Sequence, residues 1–91
     1  MIEQRRHERI EVEIELRVNW LERCIEVTTT FNYSDGGILA RNPFNEIPEP
    51  GTPMTLQVTQ LIEGKEAPVL PAEVVRANRA QIAFKFTSVA A

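Results

Sequence analysis

Ile10-Glu11-Val12-Glu13-Ile14-Glu15-Leu16-Arg17-Val18 alternates apolar and polar side chains without a break. A period of two sends every second side chain to the same face of an extended chain. The stretch therefore reads as a half-buried strand, with Ile10, Val12, Ile14, Leu16 and Val18 on its apolar face. Its β-branched residues suit a pleated, half-buried surface. The same period recurs downstream. From Cys24 to Phe31, one face carries Ile25, Val27, Thr29 and Phe31. The other carries Glu26, Thr28 and Thr30, and Asn32 continues that polar phase. Ile38 to Arg41 reads as a short returning strand. Met54, Leu56 and Val58 alternate with Thr55, Gln57 and Thr59 in a fourth. Ala72 to Arg76 forms a fifth around Val74, and Ile82, Phe84 and Phe86 mark a sixth.

Turn chemistry separates these runs. Asn32-Tyr33-Ser34-Asp35-Gly36-Gly37 is rich in residues that bond their own backbone or accept positive φ. Pro43, Pro48, Pro50 and Pro53 keep residues 42–53 out of regular ladders. Glu63-Gly64-Lys65 reads as a loop tip and Ala77-Asn78-Arg79 as a short turn. No segment has a helical period, and Thr87 to Ala91 is too short for a stable helix. The expected class is all-β, a small barrel or sandwich of six strands. Closing the sheet would remove exposed strand edges.

The 91 residues fit one domain. It divides into a flexible arginine-rich arm over residues 1–9 and a β domain over residues 10–91. A net charge of −3 argues against binding long DNA or RNA, which needs a broad basic surface, but leaves room for a local basic site. The single cysteine, Cys24, excludes an internal disulfide. Met1-Ile2-Glu3-Gln4-Arg5-Arg6 lacks the apolar core of a signal peptide. No apolar run approaches the roughly 20 residues of a membrane span, so neither membrane insertion nor a location outside the cytoplasm is expected.

Two constellations carry chemistry. Arg5-Arg6-His7-Glu8-Arg9 sets three guanidiniums within five residues. Each is a planar, permanently charged fork suited to phosphates and guanine edges, and able to stack on a base. A basic run is more often a solvated tail. Asn32-x-Ser34-x-x-Gly37 offers an amide, a hydroxyl and backbone that a ligand can approach closely. Taken alone, it is more often a tight turn.

Together and in this order, the two elements resemble the hallmark of the PilZ family. That hallmark is R-x-x-x-R on an N-terminal arm, followed by [D/N]-x-S-x-x-G after the second strand. The similarity continues through Ile38-Leu39-Ala40, Pro50-Gly51-Thr52, Glu73-Val74-Val75-Arg76 and Ile82-Ala83-Phe84-Lys85-Phe86. It implies a six-stranded antiparallel β-barrel that binds the messenger cyclic di-GMP. On this chain Arg5 and Arg9 would clamp phosphates and guanine edges, and Arg6 would assist. Asn32 and Ser34 would hydrogen-bond a guanine, and Gly37 would shape the turn beneath it. Two departures stand out. Asp is common where this chain has the neutral Asn32. Many members end in a C-terminal helix, which is short or absent by Ala91.

The remaining candidates are weak. His7 reads as a rim residue, Cys24 as a packed or surface thiol, and Trp20, after the first strand, as a barrel cap or partner surface. No spacing suggests a metal site and no nucleophile has a base nearby in sequence, so neither an enzyme nor a bound cofactor is expected. The leading expectation is an adaptor in which cyclic di-GMP orders the arm on the barrel and changes the surface met by an effector protein. The alternatives are a scaffold of the same fold that works by protein contacts without nucleotide, as in pilus or motility machinery, and a cis-regulatory domain of a larger protein. Oligomeric state is not legible in the sequence.

Overall fold

The computed structural model describes residues 13–34 and 36–87. Six strands follow in chain order: β1 (Glu15–Trp20), β2 (Cys24–Ser34), β3 (Gly37–Arg41), β4 (Pro53–Val58), β5 (Leu70–Ala77) and β6 (Gln81–Phe86). Each pairs antiparallel with its neighbours in the order β1-β2-β3-β6-β5-β4, and β1 pairs with β4 to close a barrel. Closure gives every strand two partners, which answers the edge problem that a small sheet would face. There is no helix among the described residues.

The alternation of the first strand holds where it is seen. Leu16 and Val18 are fully buried, and Met54, Leu56, Ala72, Val74, Ile82 and Phe84 meet them in one core. Glu15 and Arg17 face solvent. The strand is shorter at its start and longer at its end than the sequence predicts. Glu13 and Ile14 lie outside it, Trp20 belongs to it, and Ile10 and Val12 fall outside the described residues.

The second strand turns its faces the other way. Ile25 and Val27, on the apolar face, are 57% and 51% exposed, whereas Thr28 and Thr30 are buried. Register is the reason. Thr28 pairs with Leu16 and Thr30 with Ala40, and directly paired residues share a face. With Leu16 and Ala40 inward, the threonines must follow. Their hydroxyls are satisfied by backbone groups of neighbouring segments. Thr28 donates to the Arg41 carbonyl at 2.7 Å, and Thr30 Oγ1 accepts from the Ile14 amide at 3.1 Å. A buried hydroxyl with a partner loses little, whereas one without costs about 1–3 kcal/mol.

One end of the barrel carries the β1–β2 turn, the β3–β4 loop and the β5–β6 turn. Trp20 packs edge-on against Phe44 there, with centroids 5.0 Å apart, and the Arg23 guanidinium lies 4.4 Å from the Trp20 ring centre. Asn42 ties the β3–β4 loop to the β5–β6 turn. Its amide donates to the carbonyls of Glu46 (3.0 Å) and Asn78 (2.9 Å), and its oxygen accepts from the Phe44 amide (2.8 Å). Asn42→Ala removes all three bonds and strands backbone groups at a site only 9% exposed. The expected loss is about 3 kcal/mol, seen as a fall in Tm of more than roughly 10 °C. A Tm within a degree or two of the parent would show that the loops hold without this tether.

Candidate ligand-binding cleft

The elements that meet at the opposite end build the site. β2 leaves the barrel at Ser34, and β3 starts at Gly37, directly paired with Ser34. Asn32 and Ser34 are therefore strand residues rather than turn residues, because the pairing of β2 with β3 runs to the tip of the hairpin. Asp35 lies outside the described residues. The Ser34 hydroxyl accepts the Gly36 amide at 3.3 Å, and the Gly36 carbonyl accepts the Phe86 amide at 3.1 Å, so the hairpin tip is held to β6.

Two register shifts decide which side chains reach the outside. Thr30 pairs with Ala40, but Asn32 pairs with Leu39, so one extra residue is accommodated at Phe31. An extra residue in one strand resets its alternation. Asn32, which without the shift would follow Thr28 and Thr30 into the barrel, shares the outer face with Leu39. Tyr33 pairs with Ile38, which packs against the core. β5 repeats the device. Val74 pairs with Phe84 but Arg76 with Ala83, and the residue between, Val75, is 43% exposed. Arg76 would otherwise follow Ala72 and Val74 inward. The pairings Asn32–Leu39, Leu39–Ala83 and Ala83–Arg76 thus form one row across four strands. Polar groups stand at its ends and small or apolar ones between.

A cleft of about 200 Å³ opens beside this row, lined by Ser34, Gly36, Gly37, Leu39, Val75 and Arg76 among others. The Arg76 guanidinium makes no hydrogen bond or ion pair among the described residues. It is a permanent cation presented to the cleft.

Gly37 serves differently from the expectation. Its backbone is not in the left-handed region, and it lies within β3 opposite Lys85. A Cβ there would collide with the Phe84 carbonyl oxygen and stand 3.2 Å from Lys85 Cα. The position demands glycine for close approach of β3 to β6.

The structure therefore brings Asn32, Ser34 and Gly37 together on the outer surface. Arg5, Arg6 and Arg9 lie outside the described residues. Arg76 is the site residue that strand periodicity hid, since simple alternation from Val74 places it inside. The signal that could have exposed it is that a charged side chain in an inward phase requires either a partner or a bulge. Among the described residues no group of three or more His, Cys, Asp or Glu side chains could hold a metal ion, and no helix is long and apolar enough to cross a membrane.

These strands make a closed six-stranded antiparallel barrel with a cleft beside its β2–β3 hairpin. The family model described as the PilZ domain matches residues 3–91, and the chain belongs to that family. Among solved structures it is similar to the PilZ domain of CeSA from a cellulose-synthesizing bacterium, with TM-score 0.76 and 25% identity over 91% of this chain and 83% of that one. It is also similar in fold to the Bacillus subtilis inhibitor of motility, MotI/DgrA, with TM-score 0.74 and 17% identity. The chain covers 45% of that protein's length, with 99% of its own residues aligned. A comparison with curated proteins finds no match.

Proposed function

We propose that this domain is a cytoplasmic receptor for cyclic di-GMP and passes the level of the messenger to an effector protein. The observation that carries the reading is the placement of Ser34 and Arg76 in the lining of one cleft, with Asn32 paired to its lining residue Leu39, in a chain of the PilZ family whose N-terminal arm holds the R-x-x-x-R pattern. The ligand has two guanines and two phosphates. The cleft offers the Ser34 hydroxyl for a guanine edge and the Arg76 guanidinium for a phosphate, and the Asn32 amide stands beside it on the paired strand. In this reading Arg5, Arg6 and Arg9 of the arm grip the ligand from the other side. Gathering the arm onto the barrel changes the exposed surface around the hairpin, and a disorder-to-order change of that kind is a recognised switching device.

Calorimetric titration with cyclic di-GMP, using GTP as control, tests this reading. Saturable micromolar or tighter binding, absent for GTP, is expected and also gives the stoichiometry. No heat with cyclic di-GMP would remove the receptor reading and leave a scaffold that acts by protein contacts.

A further inference from the structure

β2 outruns its neighbour on one side. It pairs with β1 from Cys24 to Thr29, but with β3 only from Thr30 to Ser34. The Thr30 amide donates to the Ile14 carbonyl at 3.0 Å, in the same unbroken register. Backbone groups alternate in direction along an antiparallel strand, so those of Cys24, Glu26, Thr28 and Thr30 point to β1. Those of Ile25 and Val27 point the other way, past the end of β3 at Arg41. Neither residue makes a backbone hydrogen bond on that side among the described residues. The sequence supplies the reason. The pairing of Thr30 with Ala40, carried on, sets Pro43 opposite Val27, and proline has no N–H to give. The chain turns over the barrel end instead, where Phe44 meets Trp20.

The edge left open has a different chemistry on each face. On the outer face, the Ile25 and Val27 side chains are more than half exposed. On the other, Cys24 and Glu26 face Phe44 and Glu46 across a groove of about 200 Å³, which Trp20 also lines. Glu46 is held by Arg23 at 2.7 Å, whereas Glu26 has no ion-pair partner among the described residues. The groove thus combines one uncommitted carboxylate with aromatic surface. It lies at the opposite end of β2 from Ser34 and the ligand cleft.

We propose that this edge of β2 receives an extended segment of a partner protein, with apolar side chains beside Ile25 and Val27 and a lysine or arginine between them facing Glu26. Unpaired N–H and C=O groups on a strand edge are a template for another strand, and such strand addition is a common mode of peptide recognition. Charge selects which strand. A second copy related by a two-fold axis adds antiparallel. To use both free residues it sets Ile25 against the other copy's Val27, and one Glu26 directly against the other. Like charges so opposed destabilise the pair. A basic residue in that place is attracted instead, and its aliphatic stem can lie along the aromatic surface of the groove. The proposal stands apart from the receptor reading, since it needs no nucleotide and uses the other end of the barrel.

Amide hydrogen exchange, read by nuclear magnetic resonance on the full chain, tests the edge first. In dilute free protein the Ile25 and Val27 amides are expected to exchange about ten-fold faster or more than those of Glu26 and Thr28, which β1 holds. Equal protection would show that another part of the chain covers the edge. Protection that grows with protein concentration would put a second copy there. Either result overturns the proposal. The probe for the partner is a short capped peptide with lysine between two valines and threonines outside them. Its titration is expected to protect the Ile25 and Val27 amides, and the same peptide with glutamate in place of lysine should bind about ten-fold more weakly. Glu26→Lys should reverse that order while leaving the rest of the amide spectrum in place. A lysine peptide that protects neither amide at millimolar concentration, or a preference that survives Glu26→Lys, overturns the proposal.

Discussion

Arg9→Ala and Arg5→Ala are each expected to weaken cyclic di-GMP binding by about 100-fold or more while leaving the barrel intact. Each substitution removes a guanidinium proposed above to donate charge-assisted hydrogen bonds to phosphates and guanine edges. Such bonds are worth about 1.5–3 kcal/mol apiece, and every 1.4 kcal/mol is about a factor of ten in affinity. A micromolar ligand then leaves the range of an ordinary titration. Stability should not follow. Among the described residues the buried cluster begins at Leu16, and its members come from the strands of the barrel. Substitutions away from a core usually change stability by no more than about 0.5 kcal/mol.

The conservative variant sharpens the test. Arg9→Lys keeps the charge but loses the planar fork. If Arg9 acts mainly by attracting phosphate, lysine restores most of the affinity and the residual binding is strongly weakened by salt. If it grips a guanine edge, lysine is nearly as poor as alanine. Equal loss of affinity and of Tm in the alanine variants would mean that these arginines serve the fold, and the assignment of the arm as a binding element would fall.

The fold and half of the site are legible because they rest on local pattern. Strict alternation at Leu16–Val18, Met54–Leu56 and Ile82–Phe84 places those residues in the core, where all are buried. The facing of β2 is not legible in this way. Side-chain polarity favours Ile25 and Val27 as the inward pair, yet pairing of Thr28 with Leu16 and Thr30 with Ala40 overrides it. Register is a non-local quantity, and two threonines whose hydroxyls are hydrogen-bonded to neighbouring segments make the inversion inexpensive. Asn32 and Arg76 are hidden for a related reason. A bulge adds one residue to one strand and leaves no compositional mark, but it moves everything after it to the opposite face. Asn32 stands out because its motif names it, not because its exposure can be read. Arg76 has only its phase to go by, and the phase points inward.

Gly37→Ala is expected to damage both the barrel and the cleft, although it adds a single methyl group. The new Cβ meets backbone rather than the end of a flexible side chain. It collides with the Phe84 carbonyl oxygen, and Lys85 Cα at 3.2 Å closes the other direction. Relief requires β3 to move away from β6, along a seam where Gly37 pairs with Lys85 and Ile38 with Phe84. Overpacking of this kind costs about 1–3 kcal/mol, a fall in Tm of roughly 10 °C for a domain of this size. The same seam is the floor of the cleft, since Ser34, Gly36 and Gly37 line it from one side and Ala83 and Phe84 from the other. Cyclic di-GMP affinity should therefore fall at temperatures where the variant is still fully folded. Gly64→Ala supplies the comparison. Gly64 has φ +79° in the β4–β5 connection, and a methyl group added there would meet nothing within 4 Å, so its substitution carries conformational strain alone. That strain is about 1–2 kcal/mol, and it lies away from the cleft, so Tm should drop while affinity at a permissive temperature stays unchanged. If the two variants lose affinity in step with their loss of stability, binding merely reports folding. If Gly37→Ala alone loses it, the closeness of β3 to β6 is what shapes the ligand's seat.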